Sequence, residues 1–227
     1  MVRAFEFSTS VEAFPAELPR PADLAILLTK LAASEQRAFL TLWISEGIPQ
    51  AFKRAPMIYA SARSFLAMRF GINEKNITMI GSGRTGFSLA PVPKYGRAFS
   101  QQSDLDFCAV SDRLFADCGA EFVRWKEDVR CGNQNPRTPV EEKYWKANLK
   151  RLPVNISRGF IDPHLIPYRY KEVRSIADAL WLLKAKLAIT ANAPVVRKVS
   201  IRIYKDWSSF IDQNQLNLNY LLSSFRQ

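Results

Sequence analysis

With 227 residues, 48% of them hydrophobic, the chain can bury one well-formed core, and a single domain is favoured over two independent ones. Thirty-two Lys and Arg against 21 Asp and Glu give a formal charge of +11, which favours a polyanionic partner such as nucleic acid, nucleotides or an anionic surface. A single histidine, His164, excludes zinc sites built on two histidines and leaves one imidazole for any Ser-His-Asp or Cys-His arrangement.

Residues 1–20 show little apolar periodicity and read as irregular. Pro21 suits a first helical turn, and Leu24, Leu27, Leu28 and Leu31 follow at helical spacing. Ser34 reads as the N-cap of a second helix, with Phe39, Leu40 and Trp43 on one face and Gly47 as its stop. A third helix is expected from about Pro56 to Gly71, striped by Ile58, Ala62, Phe65 and Leu66. Apolar residues then gather into two short strands, 77–80 and 105–110, separated by a glycine turn and a Pro- and Gly-bearing loop. Ser111-Asp112 caps a helix to about Arg130, and another is expected at about 140–151. Val154 to Ile161 reads as a third strand. A helix at 173–191 follows, then a half-buried strand in which Val199, Ile201 and Ile203 alternate with polar residues. Asp206 caps the last helix. The expected fold is α+β: a small mixed β-sheet flanked by helices in one domain. It has a helical layer at about 21–71, a core at about 75–165 and a helix–strand–helix unit at about 172–225.

Three cysteines, Cys108, Cys118 and Cys131, with no Cys-x-x-Cys pair, suit reduced thiols in a cytoplasmic protein. No charged-then-apolar leader is visible, since Glu6 interrupts the one candidate. No apolar run reaches the ~18 residues a membrane span needs, so no membrane partner is expected.

The chemistry concentrates around the glycine turn. Gly81-Ser82-Gly83-Arg84-Thr85-Gly86 matches the dinucleotide-binding pattern G-x-G-x-x-G after a strand. That site needs a long helix after the glycines and an acid at the end of the next strand. Pro91 and Pro93 interrupt such a helix, and Asp104 and Asp106 stand at the start of their strand. A Walker loop is excluded because no Gly-Lys-Ser/Thr follows. Asp104 and Asp106, two apart in a strand, share one face roughly 6–7 Å apart, a spacing at which a divalent cation relieves their repulsion. The plainer alternative is that they end a loop and cap a strand.

Gly81, Ser82, Gly86, Ser103, Asp104 and Asp106 together resemble the nucleotidyltransferase superfamily that includes DNA polymerase β and the minimal bacterial nucleotidyltransferases. The resemblance covers about residues 75–112 directly, and extends to 162 by order of elements. The segment between Gly86 and Ser103 is longer than in minimal members. The resemblance implies Mg²⁺ (or Mn²⁺) on Asp104 and Asp106. It implies a nucleoside triphosphate held by Gly81, Ser82, Arg84, Gly86 and Ser103, and transfer of NMP to a hydroxyl acceptor. The basic charge makes RNA, tRNA included, the first choice of acceptor; a nucleotide or a protein hydroxyl is the other. Small stand-alone members often act in bacterial toxin–antitoxin or defence systems, and the resemblance admits that role. The family places a third carboxylate on a neighbouring strand, and Asp162 is the candidate in the expected third strand. Asn155 in that position instead would imply a nucleotide- or RNA-binding module without catalysis.

Basic residues with aromatic neighbours are candidate nucleic-acid contacts. They are Tyr168-Arg169-Tyr170-Lys171; Lys143, Lys146, Lys150 and Arg151 beside Tyr144 and Trp145; and Arg197, Lys198, Arg202 and Lys205. Solvated faces with the aromatics packed inward are the plain alternative. Lys184 and Lys186 lie two apart on a helix, so at most one faces a cleft.

Overall fold

The computed structural model describes residues 17–225; the expected irregularity of 1–20 falls mostly outside them. The helices are α1 (Pro21–Lys30), α2 (Ala33–Phe39), α3 (Pro56–Phe70), α4 (Gly81–Thr85), α5 (Asp112–Arg130), α6 (Pro139–Ser157), α7 (Lys171–Ile189) and α8 (Trp207–Ser224). The strands are β1 (Ile77–Ile80), β2 (Asp104–Val110), β3 (Phe160–Ile161) and β4 (Lys198–Tyr204). They form one mixed sheet in the order β1-β2-β4-β3. β2 is antiparallel to β1 and parallel to β4, while β3 runs antiparallel to β4. The α+β expectation therefore holds.

Strand alternation sorts the sheet into two faces. One carries Ile77, Met79, Leu105, Phe107, Ala109, Val199, Ile201 and Ile203, and packs into a core with α3, α5, α6 and α7. The other carries Cys108, Val110, Phe160 and Tyr204 under α1, α2 and α8. Ahead of Cys108 and Tyr204 on that second face stand Asp104 and Asp106 on β2 and Lys198, Ser200 and Arg202 on β4.

Most helix ends follow the local signals. Pro56 opens α3, and Gly71 closes it at φ +62°. Ser111 accepts from Leu114 N–H at 3.3 Å and Asp206 from Ser209 N–H at 2.7 Å. Two expectations fail. α2 begins ahead of Ser34: Glu35 reaches back to the Ala32 N–H at 2.8 Å, and the helix continues as a π-helical turn over Leu40–Ser45. The expected strand from Val154 is instead the last turn of α6, and only Phe160–Ile161 pair with β4. Trp145, Leu149, Leu152 and Ile156 form a helical stripe against the core, whereas Val154 is half exposed. That stripe outweighs the loss at Pro153, which is exposed inside the helix and lacks one N–H.

Candidate functional site

β1 ends at Ile80, and α4 starts at once on Gly81, whose φ is +69°. Ile80 pairs with Asp106, so the turn folds back over the start of β2. A Cβ on Gly81 would lie 3.0 Å from the Asp106 Oδ2, so glycine is required there both for its backbone angle and for this approach. Gly83 is buried, and a Cβ on it would meet Met79 at 2.9 Å and Leu105 at 3.2 Å. The first-turn N–H groups of α4 have no intrahelical acceptor. Gly81, Ser82 and Asp106 line one wall of a cleft of about 780 Å³, within the range of small-molecule sites. The opposite wall is α8, with Asn217, Leu218 and Leu221; the rim is the 88–92 loop and Arg97.

The acids are half-buried, and both have partners. Arg197 grips Asp104 through Nε and Nη2, each 3.0 Å from a carboxylate oxygen. The Arg197 carbonyl accepts from Lys184 Nζ at 2.6 Å, and its N–H donates to the Ser103 carbonyl at 3.0 Å. Ser200 donates to Asp106 Oδ1 at 2.5 Å. Burial holds the Asp106 carboxyl above the usual carboxylate range; the Ser200 hydrogen bond pulls it back and the Asp104 charge adds to the rise.

Asp162 does not join this pair. β4, not the 154–161 segment, is the strand beside β2, and opposite Asp104 and Asp106 it places Lys198 and Ser200. Asp162 is buried at the far edge of the sheet. Arg202 Nε and Nη2 donate to it at 2.8 and 3.3 Å, Asn155 Nδ2 donates at 3.3 Å, and Arg151 comes within 4.0 Å. Asn155 is on α6 and serves Asp162 rather than the acidic pair. Among the described residues no three His, Cys, Asp or Glu side chains gather around a common point.

Two other expected ligands are structural. Arg84 is buried and donates to the Trp43 carbonyl at 2.7 Å and the Gly47 carbonyl at 2.9 Å, tying the π-helical turn to α4. Burial lowers its pKa, with Tyr59 and Glu46 countering. Ser103 is buried with its hydroxyl accepting from Ser100 N–H at 3.0 Å. Gly86 caps α4 at φ +84°. Of the five expected nucleotide contacts, Gly81 and Ser82 face the cleft. Arg97 supplies the cationic side chain on its rim; in the sequence it is marked only by its position beside Gly96 in the long loop. Lys186 lies over the Phe65 ring, away from the acids.

Two carboxylates suit a single hard cation whose remaining ligands are phosphate oxygens and water, the usual way Mg²⁺ is held. Asp106 is open to the cleft, whereas Asp104 is engaged by Arg197. Comparison with known proteins finds no matching family model, curated protein or solved structure.

Proposed function

We propose that the cleft between α4 and α8 binds a nucleoside triphosphate with Mg²⁺ and that the protein transfers NMP from it to a hydroxyl acceptor, RNA or another nucleotide, the acceptor oxygen bonding to the α-phosphorus as pyrophosphate leaves. The observation that carries the reading is the approach of Gly81 to Asp106, which brings open backbone N–H groups and a carboxylate to one wall of one cleft. Amide donors and Arg97 suit anionic phosphate oxygens. The carboxylates suit the metal that accompanies a triphosphate, and the metal supplies charge neutralisation at phosphorus and a more acidic acceptor hydroxyl. Gly81 and Ser82 hold the triphosphate, Asp106 and Asp104 would hold the cation beside it, and α8 forms the facing wall of the cleft. Arg197, which grips Asp104, competes with the metal for that carboxylate and moves to the phosphates on binding. The bacterial toxin–antitoxin or defence setting rests on the resemblance alone.

A second reading, nucleotide or RNA binding without transfer, is favoured by a specific observation: the strand beside the acids offers Ser200 and Lys198 rather than a third carboxylate. Incubation with α-³²P-labelled NTPs, Mg²⁺ and total RNA, beside calorimetry with the same NTPs, separates the two. Label transfer lost in Asp106→Ala supports the enzyme. Asp106-dependent NTP binding without transfer supports the binding module. Absence of both overturns the site.

A further inference from the structure

A second cleft, of about 920 Å³, opens on another part of the surface between the first half of α6 and the segment that leads from β3 into α7. Four arginines line it, Arg137, Arg151, Arg169 and Arg174, with Tyr144 and Tyr168 between them. Its one acidic lining residue, Glu141, turns its carboxylate to the Arg137 backbone N–H at 2.6 Å. The guanidinium groups of Arg137 and Arg169 make no hydrogen bond or ion pair among the described residues, and Arg151 has only the edge of Asp162 at 4.0 Å. Both tyrosines are exposed, Tyr144 at 65% and Tyr168 at 54%.

The cleft is held rigid. Asn148 Nδ2 donates to the Leu165 carbonyl at 2.9 Å, stitching α6 to the loop. Arg174 donates to the carbonyls of Tyr168 and Arg169 and lies 5.5 Å from the centre of the Tyr168 ring. Tyr168 donates to Asp178, and Trp145 beneath is buried edge-on against Trp125. Exposed aromatic faces on a stiff frame, flanked by unpaired guanidiniums, present what unpaired bases stack on and what phosphodiesters bind. A base-paired duplex has no free base faces to offer, and an acidic peptide has no use for the rings.

We propose that this cleft binds a single-stranded polynucleotide, with phosphates on Arg137, Arg151 and Arg169 and successive bases on Tyr144 and Tyr168. A chain of contacts leads from it toward the acids: Arg151 to Asp162, Asp162 to Arg202, and, two residues along β4, Ser200 to Asp106. The cleft thus deepens the acceptor half of the reading above and rests on that reading only for the fate of the bound strand.

Fluorescence anisotropy with a labelled twelve-nucleotide oligo(U), its oligo(dT) counterpart and a matched duplex, without NTP or metal, tests it over a series of NaCl concentrations. Three phosphate contacts predict a slope of log K against log salt of roughly −2, at ~0.7 per phosphate neutralised on a single strand. Arg137→Gln with Arg169→Gln should flatten the slope by about 1.4, and Tyr144→Ala should weaken binding by roughly tenfold at an unchanged slope. These side chains are exposed, so the melting temperature should stay within a degree or two; thermal scans identify a misfolded variant. Tighter binding of oligo(U) than of oligo(dT) identifies RNA as the ligand, and the reverse identifies DNA. No binding of either, binding unmoved by all three substitutions, or equal affinity for poly-glutamate overturns the proposal. Asp106→Ala should keep the oligonucleotide affinity even where it abolishes NMP transfer, so failure of one reading is told from failure of the other.

Discussion

Asp162→Ala separates a structural carboxylate from a catalytic one. The carboxylate is 6% exposed and receives three hydrogen bonds, two from Arg202 and one from Asn155. Removing it leaves a guanidinium whose side chain is only 21% exposed without its counter-ion, and strips Asn155 of its acceptor. Breaking a buried pair costs about 3–5 kcal/mol; the lower end, roughly 3 kcal/mol, applies because Arg202 keeps some solvent and stacks on the Phe160 ring. The ring contact has the Arg202 Cζ 4.5 Å from its centre. For a chain of this length ~3 kcal/mol lowers Tm by about 6–12 °C. Replacing both partners, Asp162→Ala with Arg202→Met, should recover most of the loss, since an apolar pair carries no desolvation penalty. Differential scanning fluorimetry reads the Tm, and calorimetry reads NTP affinity in the same samples at a temperature where each variant is folded. The expected pattern is a large fall in Tm with NTP affinity retained. An unchanged Tm with NTP binding or transfer abolished would place Asp162 in the reacting site and refute the reasoning.

The other predictions concern the turn, the tethers and the acids. Asp106 has a folded pKa above its unfolded value of 3.8, so the folded state holds its proton more tightly and stability falls as pH rises through that window. Asp106→Asn should therefore melt higher than the parent at pH 7, with the difference vanishing below about pH 3.8; a parent that melts higher at pH 7 contradicts this. Gly159→Ala should cost at least ~1–3 kcal/mol for its left-handed backbone, plus a clash that must push α8 away. Gly159 has φ +74°, and a Cβ on it would lie 2.2 Å from Ser209 Oγ and 2.6 Å from Ser209 Cβ. A Tm within a degree of the parent would show that α8 yields freely. Arg84→Met should cost roughly 2–4 kcal/mol, since charge-assisted hydrogen bonds to the Trp43 and Gly47 carbonyls are lost. Hydrogen exchange should accelerate first in residues 40–47, and uniform acceleration would deny Arg84 its tethering role.

The parts of the fold written locally were legible in the sequence. β1, β2, β4 and the caps at Ser111 and Asp206 each follow from alternation or from one side chain within three residues of the N–H it serves. The closeness of the glycine turn and the acid pair was legible too, because one short antiparallel pairing brings them together. What escaped depends on partners far away along the chain. The segment from Val154 alternates for only a few residues, and a stripe beginning at Trp145 decides its helical state. No acid of that segment stands beside Asp104 and Asp106, since the parallel neighbour of β2 lies almost a hundred residues later and carries Ser200 and Lys198. Arg84 looked like a phosphate ligand because nothing local shows that carbonyls some forty residues earlier would take its guanidinium.

The position of the cleft follows from the register of β2 with β4. On the sheet face that meets α1, α2 and α8, the paired residues run Asp104 with Lys198, Asp106 with Ser200, Cys108 with Arg202, and Val110 with Tyr204. Polarity falls along that ladder except at Arg202, whose charge Asp162 meets. Apolar helices can cover the end bearing Val110 and Tyr204, and do so with Phe210, Leu218 and Leu24. They cannot cover Asp104 and Asp106 without burying charge that lacks full compensation, a cost of several kcal/mol per ion. α8 therefore stands across from Asp106 with Asn217 and an open space between, and Arg197 reaches Asp104 from the solvent side. A one-residue slip of β4 would bring Val199 and Ile201 to this face and close the space. The cleft is thus a consequence of where the chain places its charges along a paired strand, and its contents must be polar, cationic or solvent.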